Sequence, residues 1–545
     1  MLRRGWPAVP FVVLVTAICA WPALEAPFTF DEHAGLVENR TVQPGSPVSA
    51  ALTYRFSPDQ IRPVFFLSLW LNARTGGIEP FPFRLTNLLL HIACGLLVGL
   101  LLMRAFTRRE GDPDRTSEEG DDPALTWRGR IAALSGMTLF LLHPLQSESI
   151  LYIWGRSGVL STLGLLGALL LALAAADTNA ARPRLRAALW CATVAAFALA
   201  LLSKEEAIVL PLILFIWWTV AERRPVGEGL RRAALLVLPA ALFLMARGSY
   251  LGAVGRQVYA RGIWDNMLSQ AVVSLKMIRL TILPIGQSVD PEAGLPSMGP
   301  GLAALAACGM IVLGAILLAR VSIHPDHTER PGRPIHLIAC GALIAAAATA
   351  IYWLVPLPDL MSERRAYLPM LGAALVIAGI VQALLPLAIG GDEGARGVPS
   401  SPKQRFFAAL PVLLLMLNLG PLLHLRARIW ADPVTLWMEA ARHAPTRVRA
   451  YVNLGVYAAD RGDLEGAAGY FERAVAADPT DHEALFNRAR LYMEAGDLAA
   501  ARADLEGAIA SSPGMLRARI NLGIIFIQQG HMTAAEETLR DVLAV

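Results

Sequence analysis

The chain has 545 residues, 55% of them hydrophobic and 17% charged, with a mean hydropathy of +0.48. A soluble domain carries about 25% charged residues, so these figures point to a polytopic membrane protein with length left over for a soluble part. The formal net charge of +4 gives no electrostatic footprint for nucleic acid.

Arg3 and Arg4, an apolar run and "ALEA" open the chain in a pattern that also fits a cleaved signal peptide. A retained first span is the preferred reading, because a long array of spans follows. Apolar stretches near 8–25, 84–103, 131–145, 149–176, 187–203, 205–221, 233–247, 300–320, 335–356, 366–388 and 406–424 give about eleven spans, each needing about 20 apolar residues. Residues 269–285 carry Lys276 and Arg279 and read as an interfacial helix. Cys19, Cys94, Cys191, Cys308 and Cys340 lie in apolar runs without a C-x-x-C pair, so a disulfide framework or a zinc site is not expected.

Every second loop is basic: Arg104, Arg108, Arg109, Arg128 and Arg130; Arg182, Arg184 and Arg186; Arg223, Arg224, Arg231 and Arg232; Arg320, Arg330 and Arg333; Lys403 and Arg405. The positive-inside rule makes these loops cytoplasmic. Arg247, Arg256, Arg261, Arg364 and Arg365 fall on the opposite side and break the rule. With an odd number of spans the C-terminal part lies outside the cytoplasm. The expected location is a bacterial inner membrane.

After about residue 425 the sequence becomes polar and periodic. Asn453, Asn487 and Asn521 recur every 34 residues, as do Gly462, Gly496 and Gly530, and Pro445, Pro479 and Pro513 close the units. This is the tetratricopeptide period. Repeats are expected over about 448–481, 482–515 and 516–545, with an incomplete leading unit carrying Trp437 and Ala440. Such repeats stack into an α-solenoid whose concave face binds peptide or protein. The expected domains are therefore a membrane domain, 1–425, and a repeat domain, 426–545.

The loops facing away from the cytoplasm hold the unusual residues. Asp31 and Glu32 follow the first span in "PFTFDEHAG". Adjacent carboxylates where a chain leaves the bilayer suit a general base and an orienting partner, and desolvation there raises a carboxylate's pKa. A divalent metal on these acids stays open, although the stretch around them, "PFTFDEHAG", holds neither an H-x-x-H nor an Asp-x-Asp cluster. Arg62, Arg156, Lys204 and Arg364 are cations on the same side. Two roles stand side by side for them: ion pairing with Glu148, Glu205 and Glu363, or binding a phosphate. Asn87 and His91 share a helix face and suit helix–helix hydrogen bonding. His143, before Pro144, is a further candidate, and Tyr367 is expected to anchor a helix start at the interface.

The motifs "FDEHAG", "RPVFFLSLWLN", "RLTNLLLHIACGLL", "LHPLQSESILYIWGRSGVLS", "LLSKEEAIVLP" and "SERRAYLP" occur in that order, ahead of "NLG" repeats. This ordered set resembles the transmembrane and tetratricopeptide repeat-containing O-mannosyltransferases and their bacterial relatives. The resemblance implies an all-α polytopic domain of the GT-C glycosyltransferase fold. It also implies a polyprenyl- or dolichyl-phosphate sugar donor, usually inverting transfer, and an essential acidic pair at the position of Asp31 and Glu32. Eukaryotic members often carry Asp-Asp there. Only about three repeats follow here, so a cadherin-type acceptor is not implied.

The expectation is thus an inverting glycosyltransferase with Asp31 as base and Glu32 beside it. Arg62, Arg156, Lys204 and Arg364 would serve the donor phosphate, with His143, Glu148, Glu205, Glu363, Asn87 and His91 in support. The partners expected are a polyprenyl-phosphate sugar, a protein acceptor presented by the repeats, and membrane lipids. A membrane scaffold recruiting envelope proteins, and a GT-C enzyme acting on lipid or polysaccharide, are the alternatives.

Overall fold

The structure is a computed structural model that describes residues 8–54, 61–107, 127–179, 181–254, 261–321, 334–389 and 401–543. Arg3, Arg4, Arg108, Arg109, Arg256, Arg330 and Arg333 of the loop-charge pattern lie outside these residues. Among the described residues the secondary structure is helical and contains no strand. The chain divides into two compact units, one of Met1–Gln287 and Ala293–Ala431, the other of Ser288–Glu292 and Asp432–Val545.

The first unit contains α1 (Ala8–Ala20), α2 (Val48–Thr53), α3 (Pro63–Gly76), α4 (Pro80–Thr107), α5 (Trp127–Leu142), α6 (Ser147–Leu151), α7 (Arg156–Asp177), α8 (Pro183–Ser203), α9 (Leu210–Ile216), α10 (Val226–Val254), α11 (Ile263–Ile282), α12 (Met298–Val321), α13 (Pro334–Leu354), α14 (Pro369–Ile389) and α15 (Pro402–Ala431). Helix α15 runs unbroken to Ala431, past the break expected at 425.

Among the described residues, eight helices are long and apolar enough to cross a membrane, fewer than the eleven stretches expected. Helices underlie the other three stretches but are short. The described α1 has 13 residues. Helix α5 has 16 and ends before His143–Pro144, since the residue preceding a proline is pushed out of helical geometry. The stretch 205–221 is cut into a 3-10 turn (Glu205–Val209), the seven-residue α9 started by Pro211, and a π turn (Trp217–Ala221). Helix α11, expected at the interface, is not among the eight.

Irregular backbone is not arbitrary in such a unit. Where a chain lies at membrane depth, backbone leaves the helix only if it is buried in protein or lines a cavity. Here the 3-10 turns Pro144–Gln146, Ile153–Gly155, Glu205–Val209 and Glu363–Ala366 coincide with the polar motifs. The surrounding packing is tight. Helices α13 and α14 touch through glycine, and a Cβ on Gly372 would lie 2.3 Å from the Gly341 carbonyl oxygen.

The second unit contains α16 (Pro433–His443), α17 (Val448–Asp460), α18 (Leu464–Ala477), α19 (His482–Glu494), α20 (Leu498–Ser511), α21 (Leu516–Gln528) and α22 (Met532–Leu543). These are three helix pairs behind one leading helix. Asp463, Asp481 and Asp497 cap helix N-termini with their side chains, the usual way to satisfy orphan N–H groups. Gly462, Gly496 and Gly530 take φ of +80°, +81° and +78° at the turn inside each pair, a conformation that glycine alone adopts without strain. Gly455 packs directly on Phe471.

Candidate active site

The two neighbouring carboxylates point different ways. Phe30 precedes them in the left-handed region, at φ +56°, where a non-glycine residue is uncommon and strained. Its ring packs against Tyr152 at 5.2 Å and Trp430 at 6.2 Å. From this kink Asp31 stays half-buried while Glu32 turns inward and is 0% exposed.

Glu32 is held on all sides. Oε2 accepts from the Thr29 backbone N–H at 2.8 Å and from Arg84 at 3.2 Å, and Oε1 accepts from the Ile153 N–H at 2.6 Å. Burial pushes its carboxyl up to about 7, although Arg84 and the two backbone N–H groups act in the opposite sense. Arg84 also donates to the carbonyls of Ala26, Pro27 (2.9 Å) and Leu151 (2.9 Å). One buried pair thus ties together the first loop, the start of α4 and the Leu151–Ile153 segment. Glu32 is thus enclosed by protein groups and shows no face to solvent.

Asp31 accepts a hydrogen bond from the Tyr152 hydroxyl. Burial raises its carboxyl above the usual range, and the Tyr152 bond and the Arg364 charge pull against that. The Arg364 guanidinium lies 5.3 Å from the centre of the Tyr152 ring and 3.5 Å from Glu148. Glu148 accepts from the Arg364 backbone N–H at 2.9 Å and from Ser362 at 3.0 Å. Asp31, the Glu148–Tyr152 stretch and Arg364, far apart in sequence, therefore form one connected group. Glu363 accepts from Gln287 at 3.0 Å.

Gly155 lets this group close. A Cβ there would lie 2.6 Å from the Ser149 and 2.8 Å from the Glu148 backbone oxygens, which cannot move as a flexible side chain could. Gly155→Ala is expected to cost about 1–3 kcal/mol by overpacking. Thermal unfolding in detergent reads this, and an unchanged midpoint would contradict the packing argument.

The remaining expected residues fall into separate sets. Arg62 makes a forked pair with Glu205, at 3.0 and 3.4 Å, and Arg247 approaches the same carboxylate at 3.9 Å. Lys204 lies 2.7 Å from Glu206, which also accepts from Tyr352 at 2.5 Å. Burial lowers the Lys204 pKa against the pull of Glu206. Arg156 is 0% exposed and donates to Asn87 (2.6 Å), Ser68 O (3.1 Å) and Phe83 O (2.7 Å), so each of its nitrogens holds a protein group. Asn87 donates to the carbonyls of Ile150 and Tyr152. His91 bridges Tyr367 (2.9 Å) and the Leu141 carbonyl (3.1 Å). Tyr367 is therefore inside the unit, 1% exposed, rather than at its edge. His143 is buried, contacts the Thr281 carbonyl at 3.0 Å and caps its own turn.

Sequence reading missed Arg84, Tyr152, Glu206, Tyr352 and Arg365 as site residues. Arg84 had a signal: with Asn87 and His91 it stands at i, i+3 and i+7 on one helix face. Among the described residues no three His, Cys, Asp or Glu side chains converge to hold a metal ion. Asp31 and Glu32 diverge, one toward the Tyr152 hydroxyl and the other toward Arg84 and the Ile153 N–H.

A cavity of about 1760 Å³ lies within the same unit. Helices α11 to α15 line it with aliphatic residues such as Val273, Met277, Ile311, Val376 and Leu414. Tyr352 and Arg365 also line it, and Arg365 is the one charged residue among the described lining residues.

The tetratricopeptide repeat family's sequence model matches residues 458–503 and 493–545. Protein O-mannosyl-transferase Tmtc3 of Drosophila melanogaster is 23% identical over 88% of this chain and 56% of its own length. Protein O-mannosyl-transferase F38B6.6 of Caenorhabditis elegans is 22% identical over 83% of this chain and 60% of its own. Human Protein O-mannosyl-transferase TMTC1 is 27% identical over 30% of this chain and 18% of its own. The chain thus spans somewhat over half the length of the Drosophila and Caenorhabditis relatives. A solved structure described as "Crystal structure of MamA protein" aligns over 25% of this chain and 78% of its own at 21% identity, with a TM-score of 0.20, too low to speak for the fold. Over most of its length the chain is thus similar to proteins named as O-mannosyl-transferases, and its C-terminal part matches the tetratricopeptide repeat family.

Proposed function

We propose that the protein is an integral-membrane glycosyltransferase. It moves a sugar, with mannose the first candidate from the relatives' names, from a polyprenyl-phosphate donor to a Ser or Thr hydroxyl of a protein. The reaction takes place on the non-cytoplasmic side of a bacterial inner membrane, and the repeats present the acceptor. The observation that carries this reading is the pairing of a half-buried carboxyl of raised pKa, Asp31, with the Tyr152–Arg364–Glu148 group. A long apolar cavity in the same unit supports the lipid-linked donor.

Asp31 takes the proton of the acceptor hydroxyl as its oxygen forms the new bond to the anomeric carbon. The bond from that carbon to the phosphate oxygen breaks, its electron pair leaves with the lipid phosphate, and the configuration inverts. The departing charge needs a cation. The test is transfer from a panel of polyprenyl-phosphate sugars to Ser/Thr peptides by purified protein, with and without chelator. Product from one donor supports the reading. Transfer to lipid or polysaccharide alone would move the assignment to that class, and no transfer with any donor would favour a scaffold.

The raised pKa of Asp31 has its own signature. A base acts only when deprotonated, so activity falls on acidification, and the midpoint lies above the ordinary value of 3.8. A pH profile of kcat/KM should show this acid limb. A limb at or below 3.8 would remove the desolvated base.

A further inference from the structure

The positive-inside pattern leaves Arg365 without an assignment, and its surroundings differ from those of the other motif cations. Arg62 holds Glu205, Lys204 holds Glu206, Arg84 holds Glu32 and Arg364 holds Glu148. Arg156 spends its donors on protein oxygens inside the unit. Each of these would have to release a partner before taking up a new anion. The Arg365 side chain makes one hydrogen bond, to the Leu360 carbonyl at 3.1 Å, and no ion pair within 4.0 Å among the described residues; Asp359 and Glu148 act on it only at longer range. Its guanidinium rests over the Tyr352 ring at 5.2 Å. The Tyr352 hydroxyl is fixed by Glu206 at 2.5 Å, and Glu206 by Lys204 at 2.7 Å. The shelf beneath Arg365 is therefore rigid.

This guanidinium stands at one end of the apolar cavity. The lining contribution of α14 begins at Pro369, just after Arg365, and runs to Leu385, roughly 24 Å along the helix at 1.5 Å per residue. At the same end Tyr352, Trp353 and Leu354 finish the wall from α13. A single cation at the end of a long aliphatic trough matches a molecule with one anionic head and one long hydrocarbon tail.

We propose that Arg365, seated on Tyr352, binds the phosphate of the isoprenoid donor and that the cavity takes its chain. This rests on the lipid-phosphate-donor reading above and assigns a residue within it. The division of labour follows: Arg364 serves the Asp31 side of the turn Glu363–Ala366 and Arg365 the donor side. A forked guanidinium suits a phosphate better than an ammonium does, so Lys is an incomplete replacement.

The test measures binding to full-length protein by native mass spectrometry, with polyprenyl phosphate, the phosphate-free polyprenol and phosphatidylglycerol as probes. Wild type is expected to prefer polyprenyl phosphate over polyprenol by about tenfold or more, which corresponds to at least 1.4 kcal/mol, and to bind phosphatidylglycerol weakly. Arg365→Ala should lose that preference while keeping polyprenol binding, which also shows that the variant is folded. Arg365→Lys should fall between, and Asp31→Asn should bind as wild type. If Arg365→Ala keeps the wild-type preference, the phosphate is held elsewhere and the assignment fails while the donor reading stands. If wild type has no preference for the phosphate, the donor reading itself fails. Equal binding of phosphatidylglycerol would make the cavity a general phospholipid seat and overturn the isoprenoid assignment.

Discussion

Asp31→Asn is expected to lower transfer by more than about 100-fold, the range in which loss of a general base falls, with the protein still folded. The substitution is isosteric. An amide oxygen can still accept the Tyr152 hydroxyl that Asp31 accepts, so the Phe30, Tyr152 and Trp430 ring packing has no reason to change. What disappears is a site that takes up a proton. The effect should therefore appear in kcat, with donor affinity and the thermal midpoint near wild type. A variant that transfers at the wild-type rate would remove Asp31 as the base. Loss of activity together with loss of fold would instead place Asp31 with Glu32 as a structural group.

Much of the arrangement is legible in the sequence because its determinants are local. The 34-residue spacing of Asn453, Asn487 and Asn521, with Gly462, Gly496 and Gly530, sets the helix pairs of the repeat unit, and these glycines occupy the positive-φ turns. Hydropathy locates the helices of the membrane unit, but not which are full spans. Length is cut by local chemistry at His143–Pro144 and by the Glu205–Val209 turn, and an apolar count is blind to that. The site is legible only in part for a different reason. Adjacent Asp31 and Glu32 look equivalent in one dimension. Their separation into a half-buried and a fully buried carboxyl depends on Phe30 at φ +56° and on Arg84 and Ile153, more than fifty residues away. Ion pairing and phosphate binding were equally open for Arg62, Arg156, Lys204 and Arg364. Only the partners in space show that these cations already hold protein groups, and that Arg365 carries a lighter load.

The second large effect belongs to Arg84 and Glu32. Removing one member of a buried ion pair leaves an uncompensated charge and typically costs about 3–5 kcal/mol. Glu32→Ala and Arg84→Leu are each expected to lower the thermal midpoint strongly. The double variant should lose less than the sum, because neither charge is then stranded. Additive losses would mean that the pair contributes nothing as a pair. The pH dependence gives a second readout. Glu32 sits at about 7 in the fold against an ordinary 4.5, a raised carboxyl. The stability it contributes is whole below pH 4.5 and is lost as pH rises through 7. Wild-type stability should therefore decline from about pH 5 to about pH 8, and Glu32→Gln should flatten that decline. Arg84 acts to lower the Glu32 pKa, so Arg84→Leu should push the carboxyl further up and steepen the alkaline loss. A purely structural arginine that packed without sensing the Glu32 charge would lower the midpoint equally at every pH. The slope, more than the size of the loss, distinguishes an electrostatic tie from a packed one.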